Sequence, residues 1–240
     1  MHCYLNIGNT HTQISSSCAS GAVHCRSAGI RLLRTVPTAD FDPASLPDGA
    51  EIAAACVVAE KLDALKARGV RLATPEAASK FVDFSLVDSS TLGQDRIANA
   101  VYLATKAPLP AVSLDFGTCI TAEVVDAQKR FLGGAIFPGR RLMRHALNLY
   151  TSKLPSVELA DGLPPCPGAN TADAIRMGTD AAAIDAVAGF LVRIEKALAC
   201  RPAVFACGGD RAFFLRAPEL AGMTDGGNDL TLRGVEILFS

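Results

Sequence analysis

The chain has 240 residues, of which half are apolar, and its formal net charge is −1. This length and composition predict a globular protein built as one large domain or as two compact ones of about 100 residues each. A nearly neutral chain offers no extended basic surface, so we expect a small-molecule ligand, and neither nucleic acid nor a membrane, as the partner.

The first half of the chain is predicted to begin with a β-meander and to continue with mixed β and α structure. Runs of β-prone residues that end in turn residues predict the meander strands, at Cys3–Ile7, Thr12–Ser17 and Ala22–Ser27. The following apolar patterns predict a buried parallel strand, a helix, a strand and a helix, at Glu51–Ala59, Lys61–Arg68, Val70–Ala73 and Gln94–Lys106.

The second half is predicted to start with another β-meander, at Ala111–Phe116, Ile120–Val125 and Phe131–Ile136. Pro138 is predicted at the favoured first position of a helix that extends over Arg140–Tyr150. The proline-rich and glycine-rich segment Pro155–Pro167 predicts a long loop. An alanine-rich helix with Gly178 and Gly189 as candidate breaks, and then a short strand, are predicted at Ala172–Ala199 and Ala203–Cys207.

The cysteines stand singly, with no C-x-x-C pair, so we predict reduced and mostly buried thiols rather than disulfides. No Lys or Arg precedes the first apolar residues, which argues against a secretory leader. The apolar stretch Ile184–Val192 is interrupted by Asp185 and is too short to span a bilayer. The expected compartment is therefore the cytoplasm.

An internal similarity suggests that the fold is duplicated. The segment Leu5–Thr12 can be aligned with Leu114–Thr121, and both read as a strand, a turn with glycine and a polar residue, and a second strand. Chance explains two such octets equally well, but the surrounding meanders and following helices repeat too. We therefore predict two lobes, residues 1–108 and residues 109–240, with a ligand cleft between them.

Two turns carry the residue types of a phosphate-binding loop. Glycine lets backbone N–H groups approach phosphate oxygens, hydroxyl and amide side chains donate further hydrogen bonds, and a carboxylate can hold a cation. Each turn alone is more often just a turn. The chain contains neither G-x-x-x-x-G-K-[ST] nor G-x-G-x-x-G, which argues against the commonest nucleotide folds. The candidate residues are Gly8, Asn9, Thr10 and Thr12 in the first turn, and Asp115, Gly117, Thr118 and Thr121 in the second.

Asp95 and Arg96 lie at the predicted start of a helix and allow two interpretations. An acidic residue in a first turn complements the helix dipole without any further role. A buried aspartate could instead accept a hydroxyl proton during phosphoryl transfer, while the neighbouring arginine binds a substrate carboxylate. From these residues alone, the structural interpretation is favoured.

Taken together, motifs along nearly the whole chain resemble the ordered series of the type III pantothenate kinases. The motifs are Asn6-Ile7-Gly8-Asn9-Thr10, Gly93-Gln94-Asp95-Arg96, Asp115-Phe116-Gly117-Thr118, Gly133-Gly134-Ala135-Ile136-Phe137-Pro138-Gly139, Lys153-Leu154-Pro155, Asn170-Thr171 with Ala174-Ile175 and Gly178, and Cys207-Gly208-Gly209. The resemblance implies an α/β fold of the duplicated ribonuclease-H-like (actin/hexokinase-like) type, with two lobes and a central cleft. It also implies ATP-dependent phosphorylation of pantothenate to 4′-phosphopantothenate, the first step of coenzyme A biosynthesis.

The resemblance also implies the roles of individual residues. Asp95 would be the catalytic proton acceptor, and Arg96 would bind the carboxylate of pantothenate. ATP would be bound with Mg²⁺, Asp115 would ligate a monovalent cation, K⁺ or NH₄⁺, and the protein would be a homodimer with the pantothenate pocket near the subunit interface. The pantothenate contacts would be Gly93, Gln94, Asp95, Arg96 and Thr171, and the ATP contacts would be Asn6, Ile7, Gly8, Asn9, Thr10, His11, Thr12, Gln13 and Thr118.

The chain departs from the family pattern at Asn6, where the family has Asp, and at Gln13, where some members have Lys. Because hard divalent cations prefer anionic oxygen ligands, an alternative hypothesis is a catalytically impaired paralogue that binds nucleotide or pantothenate in a regulatory role. A third hypothesis is a related kinase for another small hydroxy acid. The homodimer is also favoured by the small residues of Ala172–Ala199, which permit close helix packing. No role is assigned to Tyr102, and surface solvation is predicted for Arg140, Arg141 and Arg144.

Overall fold

The computed structural model describes residues 2–17 and 30–240. Its strands are β1 His2–Ile7, β2 His11–Ser17, β3 Ile30–Pro37, β4 Glu51–Cys56, β5 Arg71–Leu72, β6 Ala111–Phe116, β7 Cys119–Val125, β8 Phe131–Pro138, β9 Ala203–Cys207 and β10 Thr224–Gly227. Its α-helices are α1 Ala59–Ala67, α2 Pro75–Ala78, α3 Gln94–Lys106, α4 Arg140–Leu149, α5 Thr171–Arg176, α6 Ala182–Leu198, α7 Arg211–Phe214 and α8 Leu230–Phe239.

The chain divides into two compact units. The first comprises Met1–Leu109, Val125–Leu132 and Asn228–Ser240, and the second comprises Pro110–Val124 and Gly133–Gly227. The helix α8 and the turn between β7 and β8 therefore belong to the first unit, although they come late in the sequence. The division into lobes of residues 1–108 and 109–240 stays a prediction.

Each unit contains a five-stranded sheet, and the two sheets have the same strand order. The order is β3-β2-β1-β4-β5 in one and β8-β7-β6-β9-β10 in the other. The first central strand, β1, is antiparallel to β2 and parallel to β4, and its counterpart β6 is parallel to β9. This repetition confirms the predicted duplicated α/β fold of the ribonuclease-H-like type.

Alternate apolar residues on the central strands build the core of each unit. In the first unit, Leu5 and Ile7 of β1 pack with Leu65 of α1 and Phe41. Fully burying such a side chain contributes about 1.5–3 kcal/mol. On α8, Gly234 lies so close to the backbone of Ala98 in α3 that an added methyl group would overlap it. Gly234 therefore lets α3 and α8 pack with their backbones in contact.

The core of the second unit is built in the same way. Leu114 and Phe116 of β6 pack with Val187 of α6 and with Phe213 and Phe214 of α7. The rings of Phe116 and Phe214 are stacked, with their centroids 4.0 Å apart. The turn that follows β6 therefore rests on a packed aromatic layer.

Most predicted elements are confirmed, and α3 has the predicted bounds. Pro138 is wrong as the first residue of a helix, because β8 includes it and Gly139 is the N-cap of α4. The long helix is broken by a π-helical turn at Met177–Ala181, which contains Gly178, whereas Gly189 lies inside α6. The strand predicted at Ala22–Ser27 lies outside the described residues.

The alignment of the two strand–turn–strand segments shifts by one residue after the turn. The Gly8 N–H donates to His11 O, whereas the Gly117 N–H donates to Cys119 O, so the second turn is one residue shorter. On the strands that follow, Thr12 and Ile120 are both buried, whereas Thr121 is half-buried. Thr12 therefore corresponds to Ile120 rather than to Thr121.

The prediction that the arginines of α4 are solvated is wrong for two of the three. Arg140 and Arg144 are buried in ion pairs, whereas Arg141 is exposed. Their acidic partners come from distant segments, so burial is compensated by pairing.

The six cysteines in the described part of the chain are free thiols. Cys3, Cys56 and Cys207 are buried, and Cys166 and Cys200 are exposed. The prediction that the cysteines are mostly buried therefore applies to only some of them. Burial raises the pKa of the Cys3 and Cys56 thiols, which disfavours the reactive thiolate. No helix within the described ranges is long and apolar enough to cross a membrane.

Candidate active site

The first glycine turn, between β1 and β2, is held by hydrogen bonds from Thr38. The Thr38 hydroxyl donates to Gly8 O at 2.7 Å and lies 3.0 Å from the Thr12 hydroxyl. The Thr38 N–H also donates to Thr10 O at 2.9 Å. Thr12 is fully buried, so in this structure its hydroxyl helps to fix the turn from inside. The exposed part of the turn is formed by Asn9, Thr10 and His11.

Asn6 and Gln13 lie opposite each other on β1 and β2 and are direct partners. The Asn6 side-chain amide donates to Gln13 Oε1 at 3.3 Å. The Gln13 amide in turn donates to the backbone oxygen of Asn228 at 3.0 Å. Two neutral amides therefore connect the base of the turn to the segment that begins α8.

The start of α3 lies at the same strand ends as this turn. Gln94 Oε1 accepts a hydrogen bond from the Cys56 N–H, and the Val57 N–H donates to Ile7 O, both at 3.0 Å. A Val57 methyl carbon is 3.8 Å from the position that a Cβ would take on Gly93. The first unit thus brings the segments Asn6–Gln13 and Gly93–Arg96 to the carboxyl ends of β1 and β4.

Asp95 is a half-buried carboxylate whose position depends on the glycine before it. Its Oδ1 accepts the Arg96 N–H at 2.8 Å and lies 2.6 Å from the position of a Cβ on Gly93. A side chain at position 93 would therefore displace the Asp95 carboxylate from the position it takes here. Burial raises the pKa of Asp95 above the usual aspartate value, against the opposing effects of the Arg96 N–H and the Arg96 charge. A carboxylate of raised pKa is suited to proton transfer.

Arg96 is oriented by an aromatic contact. Its guanidinium lies 5.8 Å from the centroid of the Phe131 ring, which in turn contacts Phe84 with the centroids 5.5 Å apart. The Phe131 N–H donates to Asp83 O at 2.8 Å, which fixes the backbone at this ring. A cation–π contact of this kind contributes about 0.5–1 kcal/mol at an exposed site, enough to bias the arginine rotamer.

The second glycine turn follows β6 and is enclosed by two other segments of the second unit. The Gly139 N–H donates to Thr118 O, and the Asp210 N–H donates to Phe116 O, both at 2.9 Å. Asp115 pairs with Cys207 in the β6–β9 register. A methyl group on Gly208 would overlap Asp115 Oδ1 and the backbone of Phe116. The glycines therefore allow the Gly139 and Gly208 segments to lie directly against the Asp115–Thr118 turn.

Gly208 and its neighbour Gly209 provide a matched test of this packing. Gly208 has φ +87°, whereas the space around a Cβ on Gly209 is open. We expect Gly208→Ala to lower the free energy of unfolding by about 1–2 kcal/mol from backbone strain alone, with the overlap at Asp115 adding to it. Gly209→Ala should stay within about 0.5 kcal/mol of the wild type. Urea unfolding of both variants measures the difference, and equal stabilities would contradict the packing.

The remaining predicted site residue, Thr171, is exposed as the first residue of α5 in the second unit. Its preceding residue, Asn170, caps the helix by accepting the Asp173 N–H at 3.0 Å. Sequence reasoning missed Thr38, which supports the first turn, and Asp210, which contacts the second. Neither residue belongs to a local motif that points to its partner.

Comparisons with known proteins agree with these features. Residues 4–193 match the family model described as type III pantothenate kinase. The type III pantothenate kinase of Akkermansia muciniphila is 37% identical over 146 residues, which cover 61% of this chain and 59% of that protein. The enzyme of that name from Desulforapulum autotrophicum is 32% identical over 164 residues, covering 68% and 62%. The chain thus spans about 60% of the length of these two relatives.

Two solved structures share the fold at low sequence identity. A protein described as a Baf family transcriptional activator from Campylobacter jejuni has a TM-score of 0.55 and 19% identity, covering 98% of this chain and 96% of that chain. The ethanolamine utilization protein EutJ from Carboxydothermus hydrogenoformans has a TM-score of 0.50 and 14% identity, covering 99% and 89%. These two likenesses concern the fold alone.

Proposed function

We propose that this chain, which belongs to the type III pantothenate kinase family, transfers the γ-phosphoryl group of ATP to the terminal hydroxyl of pantothenate. The product would be 4′-phosphopantothenate, the first intermediate on the way to coenzyme A. The observation that carries the proposal is the position of Asp95. This carboxylate of raised pKa lies beside Arg96 at the same strand ends as the Gly8 turn.

The proposed chemistry assigns one task to each group. The substrate hydroxyl oxygen forms a bond to the γ-phosphorus, the bond to ADP breaks, and the hydroxyl proton passes to Asp95. Arg96 binds the carboxylate of pantothenate, because a guanidinium fork matches that group. Backbone N–H groups of a glycine turn bind phosphate oxygens, and the candidate turns are the Gly8 turn within the first unit and the Gly117 turn within the second. Since phosphoryl transfer passes through a loose transition state, positioning and charge stabilisation contribute much of the rate.

The donor groups on the chain fit the ions that this reaction requires. Mg²⁺ is usually held by one or two carboxylates together with phosphate oxygens and water. Position 6, where the family has Asp, is Asn in this chain, so Mg²⁺ would be held chiefly by the phosphate oxygens of ATP and by water. Bound Mg²⁺ neutralises charge on the phosphate oxygens. For Asp115 we propose a monovalent cation, K⁺ or NH₄⁺, because its carboxylate lies beside the backbone oxygen of Phe116 at the Gly208 contact.

We also propose a homodimer that uses the apolar face of α4. Leu142, Leu149 and Tyr150 expose 37%, 61% and 82% of their surface there. Leu142 and Tyr150 also line an apolar groove of about 410 Å³, together with residues that include Leu147 and Gly178. The small residues of α6 support the dimer less directly, because Ala183 packs in the core of its own unit.

A change on this face tests the dimer. We expect Tyr150→Asp to raise the dimer dissociation constant at least about tenfold, since an aromatic anchor at the centre of an interface contributes about 2 kcal/mol or more. Leu86→Asp is the control, because Leu86 is 55% exposed in the first unit. Sedimentation velocity over a range of concentrations gives both constants. A wild-type monomer at micromolar concentration, or equal effects of the two changes, would contradict the proposal.

A cytoplasmic location is proposed as well, because the described cysteines are free thiols and reducing compartments keep thiols in that state.

The proposed activity is tested by measuring ADP release with ATP, Mg²⁺, K⁺ or NH₄⁺, and a panel of small hydroxy acids that includes pantothenate. We expect pantothenate to give the highest kcat/KM. A different acid with a higher value would assign another substrate to the same chemistry. No stimulation by any member of the panel would remove the kinase proposal.

A further inference from the structure

A buried arginine in the second unit connects the two segments that enclose the Asp115–Thr118 turn. Arg140 is the first residue of α4, and its side chain is only 2% exposed. Its Nε donates to Asp210 Oδ2 at 2.8 Å, and its Nη2 donates to Asp210 Oδ1 at 2.5 Å. This two-pronged geometry is the strongest form of an arginine–carboxylate pair, and it fixes direction as well as distance.

Other contacts hold the Arg140 guanidinium in place. It lies 3.4 Å from the centroid of the Phe213 ring, and its Nη1 donates to Ala160 O at 3.3 Å. The same Nη1 is 3.2 Å from Asp180 Oδ2. Every side of the planar group is therefore in contact with protein, which leaves Arg140 little conformational freedom.

Asp180 balances the charge of this cluster from within the π-helical turn Met177–Ala181. Arg144 donates to both of its carboxylate oxygens at 2.6 Å. Arg140 and Arg144 together with Asp180 and Asp210 make a cluster of two positive and two negative groups. Pairing of this kind is necessary, because an unpaired buried charge is strongly destabilising.

The Arg140–Asp210 pair meets the glycine turn from both sides. The residue before Arg140 donates its N–H to Thr118 O, and Asp210 donates its own N–H to Phe116 O, both at 2.9 Å. Gly208, two residues before Asp210, touches Asp115 so closely that no side chain fits. Moving either end of the ion pair would therefore move a backbone segment that contacts the turn.

We propose that Arg140 is a positioning residue for nucleotide binding, which acts by clamping the Gly139 and Gly208–Asp210 segments around the Asp115–Thr118 turn. The inference rests on the proposed function, in which this turn contacts the phosphates of ATP. Lysine at this position keeps the charge but loses the planar fork, so the clamp would loosen without leaving an uncompensated acid. Arg144 shares Asp180 with Arg140, yet its hydrogen bonds go to Asp180, Thr179 and the loop carbonyls of Val157 and Glu158.

The test compares Arg140→Lys with Arg144→Lys, which alters the same buried cluster away from Asp210. Titration calorimetry with a non-hydrolysable ATP analogue and, separately, with pantothenate is done below the unfolding temperature of each variant. We expect Arg140→Lys to weaken nucleotide binding about tenfold and to leave pantothenate binding within about twofold, whereas Arg144→Lys should change neither. Asp210→Asn, which keeps the shape of the partner, should reproduce the loss if Arg140→Lys does not fold.

A purely structural role predicts a different result. Both lysine variants would then lower the unfolding temperature and bind nucleotide as the wild type does, which would overturn the inference. Equal nucleotide losses in Arg140→Lys and Arg144→Lys would also overturn it. If the wild type binds the analogue and only the variant effects are missing, this inference alone fails. If the wild type binds no nucleotide, the proposed function fails with it.

Discussion

Asp95→Asn is expected to lower kcat by roughly 10²–10⁴-fold, the usual range for loss of a general acid–base group. The amide keeps the shape of the carboxylate and can still accept the Arg96 N–H, but it cannot take the hydroxyl proton. Pantothenate and nucleotide binding should change little. A proton acceptor acts only in the transition state, so the fall belongs to kcat rather than to the binding constants.

The stability of the same variant separates catalysis from a helix-dipole role. The folded-state pKa of Asp95 is raised, so folding favours the protonated form, and that contribution to stability is lost as the pH rises through the folded pKa. At pH 7 burial of the ionised carboxylate is unfavourable, and the neutral amide of Asp95→Asn removes that unfavourable burial. We therefore expect no loss of stability in this variant. Glu60→Gln is the control, since Glu60 is an exposed acid in the first turn of α1 and should cost only about 0.3–1 kcal/mol.

The pH profile gives an independent check on Asp95. The base must be ionised, so kcat/KM of the wild type should fall as the pH drops through a pKa above the ordinary aspartate value. In Asp95→Asn, kcat/KM should not show this fall at low pH. A folded variant that binds pantothenate and retains wild-type kcat would remove Asp95 from the mechanism.

Arg96→Ala is expected to raise the KM for pantothenate by about 10–150-fold and to leave the KM for ATP nearly unchanged. The estimate follows from the loss of charge-assisted hydrogen bonds, which contribute about 1.5–3 kcal/mol. Initial rates with each substrate varied in turn measure the effect. Arg193→Ala, at an exposed position on α6, is the control.

A second substrate makes the Arg96 result specific. An analogue in which the carboxylate of pantothenate is reduced to an alcohol should be phosphorylated poorly by the wild type and no worse by Arg96→Ala. Equal losses for pantothenate and ATP would indicate a structural role for Arg96, and circular dichroism would then reveal misfolding.

Local patterns were sufficient to predict the elements that position the candidate site. The helix α3 could be placed because its apolar stripe, including Ile97 and Val101, is continuous and buried. The strands β1 and β6 could be placed because their apolar runs end at a glycine turn. The helix α8, which was not predicted, is held in place by long-range contacts such as the 2.8 Å hydrogen bond from Thr231 to Asn99.

Polar residues with distant partners were the main source of error. Arg140 and Arg144 have the spacing of a solvated helix face, but Asp180 and Asp210 lie far along the sequence and neutralise them. The place of Thr12 after a glycine turn predicts phosphate binding, and the sequence gives no sign that its hydroxyl lies 3.0 Å from that of Thr38. No local signal identifies such pairs, because each forms only when the sheet and helices pack.

The two departures from the family pattern, Asn6 and Gln13, form one hydrogen-bonded pair. In family members that have Asp and Lys at these two positions, the pair carries one negative and one positive charge, and both charges are absent in this chain. The net charge at the base of the turn is therefore the same, and the loss of a carboxylate at Asn6 has a smaller electrostatic effect than the single position suggests. The missing anionic oxygen at position 6 is therefore the difference that separates an active enzyme from the impaired paralogue, and Asn6→Asp tests it.

Formation of 4′-phosphopantothenate by the wild-type chain is the most direct test of the account. Enzyme in excess over ATP is incubated with Mg²⁺, K⁺ and pantothenate, and the product is identified by mass spectrometry, beside Asn6→Asp and a reaction without enzyme. We expect the wild type to convert ATP and pantothenate to ADP and phosphopantothenate without any change at Asn6. Product from Asn6→Asp alone, or from neither protein while both are folded, would contradict it.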